Sequence, residues 1–131
     1  METLPERLKP GSRVSWSRDI TADDVRRFAE LSGDNGRHHL EKDEQGRLVA
    51  HGLLTATLPT KLGGDLNFMA RTMNFEFVKL VFSGDTLTCE GVIETAVAQS
   101  TRYKVAFRFE IKNQRGEVVL RGTSAGQILK K

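Results

Sequence analysis

Gly52-Leu53-Leu54-Thr55-Ala56-Thr57-Leu58-Pro59-Thr60-Lys61-Leu62 is the stretch that decides the architecture of this chain. Wound as a helix, it carries leucines on every side, threonines in the gaps, and a single charge at Lys61. A helix apolar nearly all round has to be buried on most of its faces. At 1.5 Å per residue it is about 16 Å long, too short to cross a bilayer. Pro59 leaves two readings open: the helix kinks there, or it ends near Leu58 and the rest is a turn. Gly63-Gly64 is read as the stop in either case.

Downstream, four stretches alternate with period two, as strands do. Residues 72–78 set Met73, Phe75 and Phe77 against Asn74 and Glu76. Residues 86–97 set Leu87, Cys89, Gly91 and Ile93 on one face. Residues 101–112 are the clearest: Tyr103, Val105, Phe107, Phe109 and Ile111 alternate with Arg102, Lys104, Arg108 and Glu110. Residues 118–129 close the chain, with Gly122 and Gly126 read as bulges or close backbone approaches. Turns are expected at Ser83-Gly84-Asp85, Ala98-Gln99-Ser100 and Asn113-Gln114-Arg115-Gly116. Such a meander makes an antiparallel sheet with one wet face. The simplest way to bury the apolar rod is to curl that sheet around it, an α+β arrangement. The sheet edge left open needs a partner, and a second copy of the chain could supply it.

Upstream, residues 1–11 read as a loosely held arm broken by Pro5 and Pro10, and residues 13–18 as a short strand with Val14 and Trp16 on one face. Thr21 is a good N-cap, and Asp24 three residues on completes a capping box with a short acid. Val25, Phe28, Ala29 and Ser32 give the following helix one apolar face, and Gly33 ends it. Asp34 therefore emerges at a defined corner. Residues 40–45 are polar, and Gly46 makes a turn before residues 48–50 lead into His51 and Gly52.

The whole chain, residues 1–131, reads as one domain. Its 20 Lys and Arg against 17 Asp and Glu leave a net charge of +3, spread without clusters, which argues against nucleic acid. The lone Cys89 forbids a disulfide within the chain and a thiolate metal cluster, and its place in an alternating stretch reads as a buried structural thiol. The mixed, charged opening is unlike a secretion signal, and no apolar run approaches a membrane span. The expectation is a cytoplasmic protein.

Chemistry concentrates in Phe28-Ala29-Glu30-Leu31-Ser32-Gly33-Asp34-Asn35-Gly36-Arg37-His38-His39 and in Ala50-His51-Gly52-Leu53-Leu54. An acid and an imidazole beyond one helix end, and free N–H groups at the start of the next, are the parts needed to move a proton beside a carbonyl. Alone, an Asp after a helix-ending glycine is usually a turn former. These two motifs, in this order, with Phe82-Ser83-Gly84-Asp85-Thr86-Leu87 further on, resemble the MaoC-like hydratase family of (R)-specific enoyl-CoA hydratases. The resemblance runs from about Ile20 to the end. It implies a hot-dog fold, a curved antiparallel sheet around a central helix, paired as a homodimer. It implies an acyl thioester of coenzyme A or of acyl carrier protein as substrate, with no metal and no separate cofactor.

By position, Asp34 matches the motif aspartate and His39 the motif histidine, the spacing favouring His39 over His38. Gly52 matches the glycine whose N–H holds the thioester oxygen, and Thr60 falls where a family serine supports the catalytic pair. His51 reads as structural. The expected activity is (R)-specific hydration of trans-2-enoyl thioesters, or the reverse dehydration of 3-hydroxyacyl thioesters. Gly36-Arg37 stands where the family has Asn-Pro, exchanging a stiff residue pair for a flexible one. That substitution keeps a non-catalytic acyl-CoA binder open as an alternative, and an acyl-CoA thioesterase on the same fold is another.

Overall fold

Five strands, Arg13–Asp19 (β1), Phe68–Phe77 (β2), Thr86–Ala98 (β3), Arg102–Lys112 (β4) and Val118–Leu129 (β5), form a single antiparallel sheet in the order β1-β3-β4-β5-β2. These coordinates come from a computed structural model, which describes residues 3–131. The expected alternation holds in β3 as far as Ile93 and through β4: Leu87, Cys89 and Ile93, then Val105, Phe107, Phe109 and Ile111, are all buried in the core they share with the leucines of the rod. Gly122 and Gly126 are close approaches. A Cβ on either would strike the backbone carbonyl of the neighbouring strand, at Asn74 and Met69 respectively.

The rod is present but divided. Gly52–Thr55 (α3) and Thr57–Asp65 (α4) meet at Ala56. Pro59 thereby falls in the first turn of α4, where backbone N–H groups have no partner within the helix, so its missing hydrogen costs nothing there. The break falls at Ala56, short of both Pro59 and the end expected near Leu58, and a second helix follows it where a turn was the alternative. Nor do Gly63 and Gly64 stop the helix, which runs through both to Asp65 before Asn67 turns at φ 57°. Leu54, Leu58 and Leu62 are buried in the core, and the Trp16 indole N–H of β1 donates to the Leu58 carbonyl at 2.9 Å.

Three further expectations need correction. The segment before Gly11 is no loose arm over its described residues. Leu8 is wholly buried in a short 3₁₀ turn, and the Gly11 N–H donates to the Ile93 carbonyl at 2.8 Å. β2 begins at Phe68, four residues early, and its Met73 and Phe77 stay exposed while Phe75 is half-buried. An edge strand paired on one side only need not bury one face. Finally, Arg37–Leu40 (α2) is a helical turn that four residues are too few to announce by periodicity.

The helix Ala22–Ser32 (α1) is capped as its sequence requires. Thr21 and Asp24 exchange reciprocal bonds of 3.0 and 2.9 Å, and Gly33 takes the left-handed conformation, φ 77°. What brings α1 and α3 to one place is the tight turn at residues 82–85. The Gly84 N–H donates to the Ile20 carbonyl at 2.7 Å, just before α1. The Ser83 N–H donates to the Leu48 carbonyl at 2.8 Å and the Ser83 hydroxyl accepts from the Leu48 N–H at 2.9 Å, just before α3. The Ala50 N–H donates to the Val81 carbonyl at 2.8 Å. One turn therefore staples the entry of both helices to the sheet.

Candidate active site

With α1 and α3 held side by side, the corner after α1 faces the start of α3 across a cavity of about 570 Å³. Asp34, His39, His51 and Gly52 line it, together with the apolar Phe28, Leu53, Phe77 and Leu80. The two motifs of the sequence, separated by residues 40–49, thus meet in space.

Asp34 is placed by the left-handed Gly33 and by its own N–H, which donates to the Ser32 hydroxyl at 3.0 Å. Its Oδ1 accepts from the Gly36 N–H at 3.1 Å, closing a turn. That bond holds the Asp34 carboxyl below the usual carboxylate range. The imidazoles of His39, His51 and His38 push the same way, against the opposing effect of desolvation. Gly36 lies at φ −52° and ψ 141°, a conformation open to most residues, so its flexibility is not used. Arg37 occupies the first position of α2, the place where a proline is well tolerated. The Gly36-Arg37 exchange therefore leaves the turn closed, because a backbone N–H makes the bond whatever the side chain.

His39 is buried, and its Nδ1–H donates to the Val49 carbonyl at 2.6 Å. A carbonyl only accepts, so this bond fixes the proton on Nδ1 and leaves the Nε2 lone pair free. Nε2 lies 3.6 Å from Asp34 Oδ2. Two acceptors with no proton between them cannot bond directly, and the distance is too long for it. They are set to receive the two hydrogens of one water molecule.

Gly52 opens α3, and among the described residues no protein group accepts from its N–H. α3 puts one helical turn behind this amide before the break at Ala56. Phe77 covers its α-carbon so closely that a Cβ there would lie 2.6 Å from the Phe77 ring. Thr60 is not part of this arrangement: its hydroxyl donates to the Ala56 carbonyl of its own helix at 3.1 Å, and it does not line the cavity. Thr55, one turn earlier, does line it and is almost wholly buried. His38 lies exposed at the rim, its ring 3.9 Å from that of His39.

His51, expected to be structural, is built into the site itself. It is buried, its Nε2–H donates to the Asp34 carbonyl at 3.0 Å, and its ring stacks on His39 with centroids 3.6 Å apart and 15° between planes. Its place between Ala50 and Gly52 was the available signal. Asp34, His39 and His51 each bring one potential metal-ligating atom within 4.8 Å of the others. The stacked rings, however, hold their lone pairs in two nearly parallel planes, which do not converge on one ion.

This architecture is the hot-dog fold, an α+β sheet curved about a central helix. The (R)-hydratase PhaJ1 from Pseudomonas aeruginosa in the unliganded form superposes with a TM-score of 0.82 at 22% identity, over 95% of this chain and 83% of that one. The (R)-hydratase from A. caviae involved in PHA biosynthesis gives 0.82 at 24%, over 96% and 100%. The MaoC-like dehydratase from Rhodospirillum rubrum gives 0.78 at 22%, over 99% of each chain. No family model matches the sequence. No curated protein matches it either. No helix among the described residues is long and apolar enough to cross a membrane.

Proposed function

We propose that this protein is an (R)-specific enoyl thioester hydratase, acting on trans-2-enoyl thioesters of coenzyme A or acyl carrier protein, or on 3-hydroxyacyl thioesters in reverse. The observation that carries the reading is the pair of acceptors, the exposed Asp34 Oδ2 and the buried His39 Nε2, 3.6 Å apart on the wall of a largely apolar cavity that also holds the Gly52 amide. The neighbours named as (R)-hydratases support the reaction class and its stereochemistry. The reaction draws on no metal and no cofactor beyond the carrier of the acyl group. A homodimer acting in the cytoplasm completes the proposal.

In this mechanism one water donates its hydrogens to Asp34 Oδ2 and His39 Nε2. As the water oxygen bonds to C3, Asp34 takes a proton, and C2 then receives it from Asp34. The negative charge that passes through the thioester oxygen meanwhile is held by the Gly52 N–H. His39 orients the water by accepting its second hydrogen at Nε2. The test is hydration of crotonyl-CoA, followed by loss of the enoyl absorbance. Asp34→Asn keeps the shape but not the base, and kcat is expected to fall at least ~100-fold with the melting temperature near that of the wild type. Unchanged turnover in that variant would remove Asp34 from the mechanism. Release of free thiol without loss of the enoyl group would mark a thioesterase. A thermal shift by acyl-CoA with neither reaction would mark a binder.

A further inference from the structure

We infer that His51 is the positioning residue of this site, holding the Asp34 turn and the His39 ring in fixed relation to the Gly52 amide; the inference rests on the hydratase reading above. One residue reaches all three parts, the first two through its side chain and the third through its backbone. Its Nε2–H donates to the backbone carbonyl of Asp34 at 3.0 Å. Its ring lies flat against His39, 3.6 Å between centroids, with Phe28 4.9 Å away and tilted by 55°. Its own backbone begins the central rod: the His51 carbonyl accepts from the N–H groups of Leu54 at 3.0 Å and Thr55 at 3.2 Å, and Gly52 follows it directly.

The other edge of the ring argues that this is more than packing. His51 is 3% exposed, and its Nδ1 is buried without a hydrogen-bond partner, the sole such side-chain atom among the described residues. A buried polar atom left unpaired is costly, and a phenylalanine would fill this apolar wall without that cost. What the imidazole adds is the bond from Nε2 to the Asp34 carbonyl. Because that carbonyl accepts, the proton sits on Nε2 and the ring is held in one tautomer. The stack then holds the His39 ring in one plane, with its Nε2 3.6 Å from Asp34 Oδ2.

Two substitutions separate these contributions in the full-length protein. His51→Phe keeps a ring and removes the donor, whereas His51→Gln restores a donor of similar reach. With crotonyl-CoA, His51→Phe is expected to lower kcat about tenfold or more with KM within about twofold, since misplaced reacting groups cost rate before binding. His51→Gln is expected to recover kcat to within about threefold of the wild type. A Phe variant as fast as the wild type, a Gln variant as slow as the Phe variant, or losses confined to KM would each overturn the inference.

A second readout does not need turnover. Long-range ¹H–¹⁵N spectra should show His39 as the Nδ1–H tautomer and His51 as the Nε2–H tautomer in the wild type. In His51→Phe the His39 ring signals should broaden or split as the ring loses its fixed place, while the Nδ1–H tautomer that the Val49 carbonyl sets and the backbone amide spectrum are kept. If no enoyl thioester is hydrated but the His39 signals respond in this way, the hydratase reading fails and the positioning role stands. If hydration is present and the His39 signals ignore His51→Phe, the positioning role fails and the hydratase reading stands.

Discussion

Gly52 has room on its α-carbon for hydrogen and for little else. A methyl group there would lie 2.6 Å from Cε1 of Phe77 and 2.9 Å from its Cδ1, inside any allowed contact. Phe77 is 53% exposed, so its ring can swing outward and the fold should survive. The price falls on the cavity mouth, which Phe77 helps to form. Gly52→Ala should therefore raise KM for acyl thioesters about tenfold while the melting temperature drops by only a few degrees. Gly52→Ala combined with Phe77→Ala should bring the KM back toward that of the Phe77→Ala single variant. If Gly52→Ala alone leaves KM untouched, the ring does not gate this site. Cys89 behaves in the opposite sense, as a residue with no part in the chemistry. Burial, with Glu90 adding to it, pushes its thiol up to about 12, as expected of a structural core sulfur.

At the scale of the element, the hairpin between β4 and β5 gathers three donors around one carboxylate. Glu117 accepts from Lys79 at 2.6 Å, from Asn113 at 3.0 Å and from Arg115 at 2.9 Å. These bonds hold its carboxyl at about 2, below the usual value near 4.3. A carboxylate lowered on folding stabilises the native state above its unfolded value and loses that contribution as pH falls toward its folded one. The gap in melting temperature between wild type and Glu117→Gln should thus be full at pH 6 to 7 and shrink between about pH 4.5 and 2. A gap equally wide at pH 3 and pH 7 would assign the effect to something other than this charge. Local signals of this kind, a cap, a turn, a run of alternation, were legible in the sequence because neighbours in the chain make them. Thr21 with Asp24, the left-handed Gly33, and the buried face of β4 all follow that rule. The break at Ala56 and the single helical turn at α2 were not legible. A proline fits equally well in a first turn, and four residues carry no period. The pairing of Asp34 with His39 was implied by the family resemblance, with spacing favouring His39 over His38. The Val49 carbonyl that sets the His39 tautomer, and the stack with His51, depend on residues 10 and 12 positions away that only the staple at residues 82–85 brings into reach.

For the molecule as a whole, the open side of β2 sets the remaining question. β2 is ten residues long, pairs with β5 alone, and leaves its other backbone edge without a partner strand among the described residues. Natural sheets protect such edges with charge, proline, bulges or a covering element. β2 has one register shift, between Ala70 and Thr72, yet it exposes Met69, Met73 and Phe77, and Leu53 and Leu80 are exposed at the nearby cavity. An unpaired edge flanked by apolar side chains suits a second copy of the same strand, because a two-fold axis makes one surface complementary to itself. We propose that two chains join through β2, extending the sheet across both. The mass in solution by light scattering should then be twice 14.6 kDa. Met73→Lys, which sets like charges near the axis, should move the population toward 14.6 kDa at micromolar concentration. Because Phe77 lies on this same strand and also lines the cavity, the dissociated variant should lose affinity for acyl thioesters along with its partner. A Met73→Lys protein that remains a dimer would place the interface elsewhere, and a wild type that is monomeric at every concentration would leave the β2 edge open in solution.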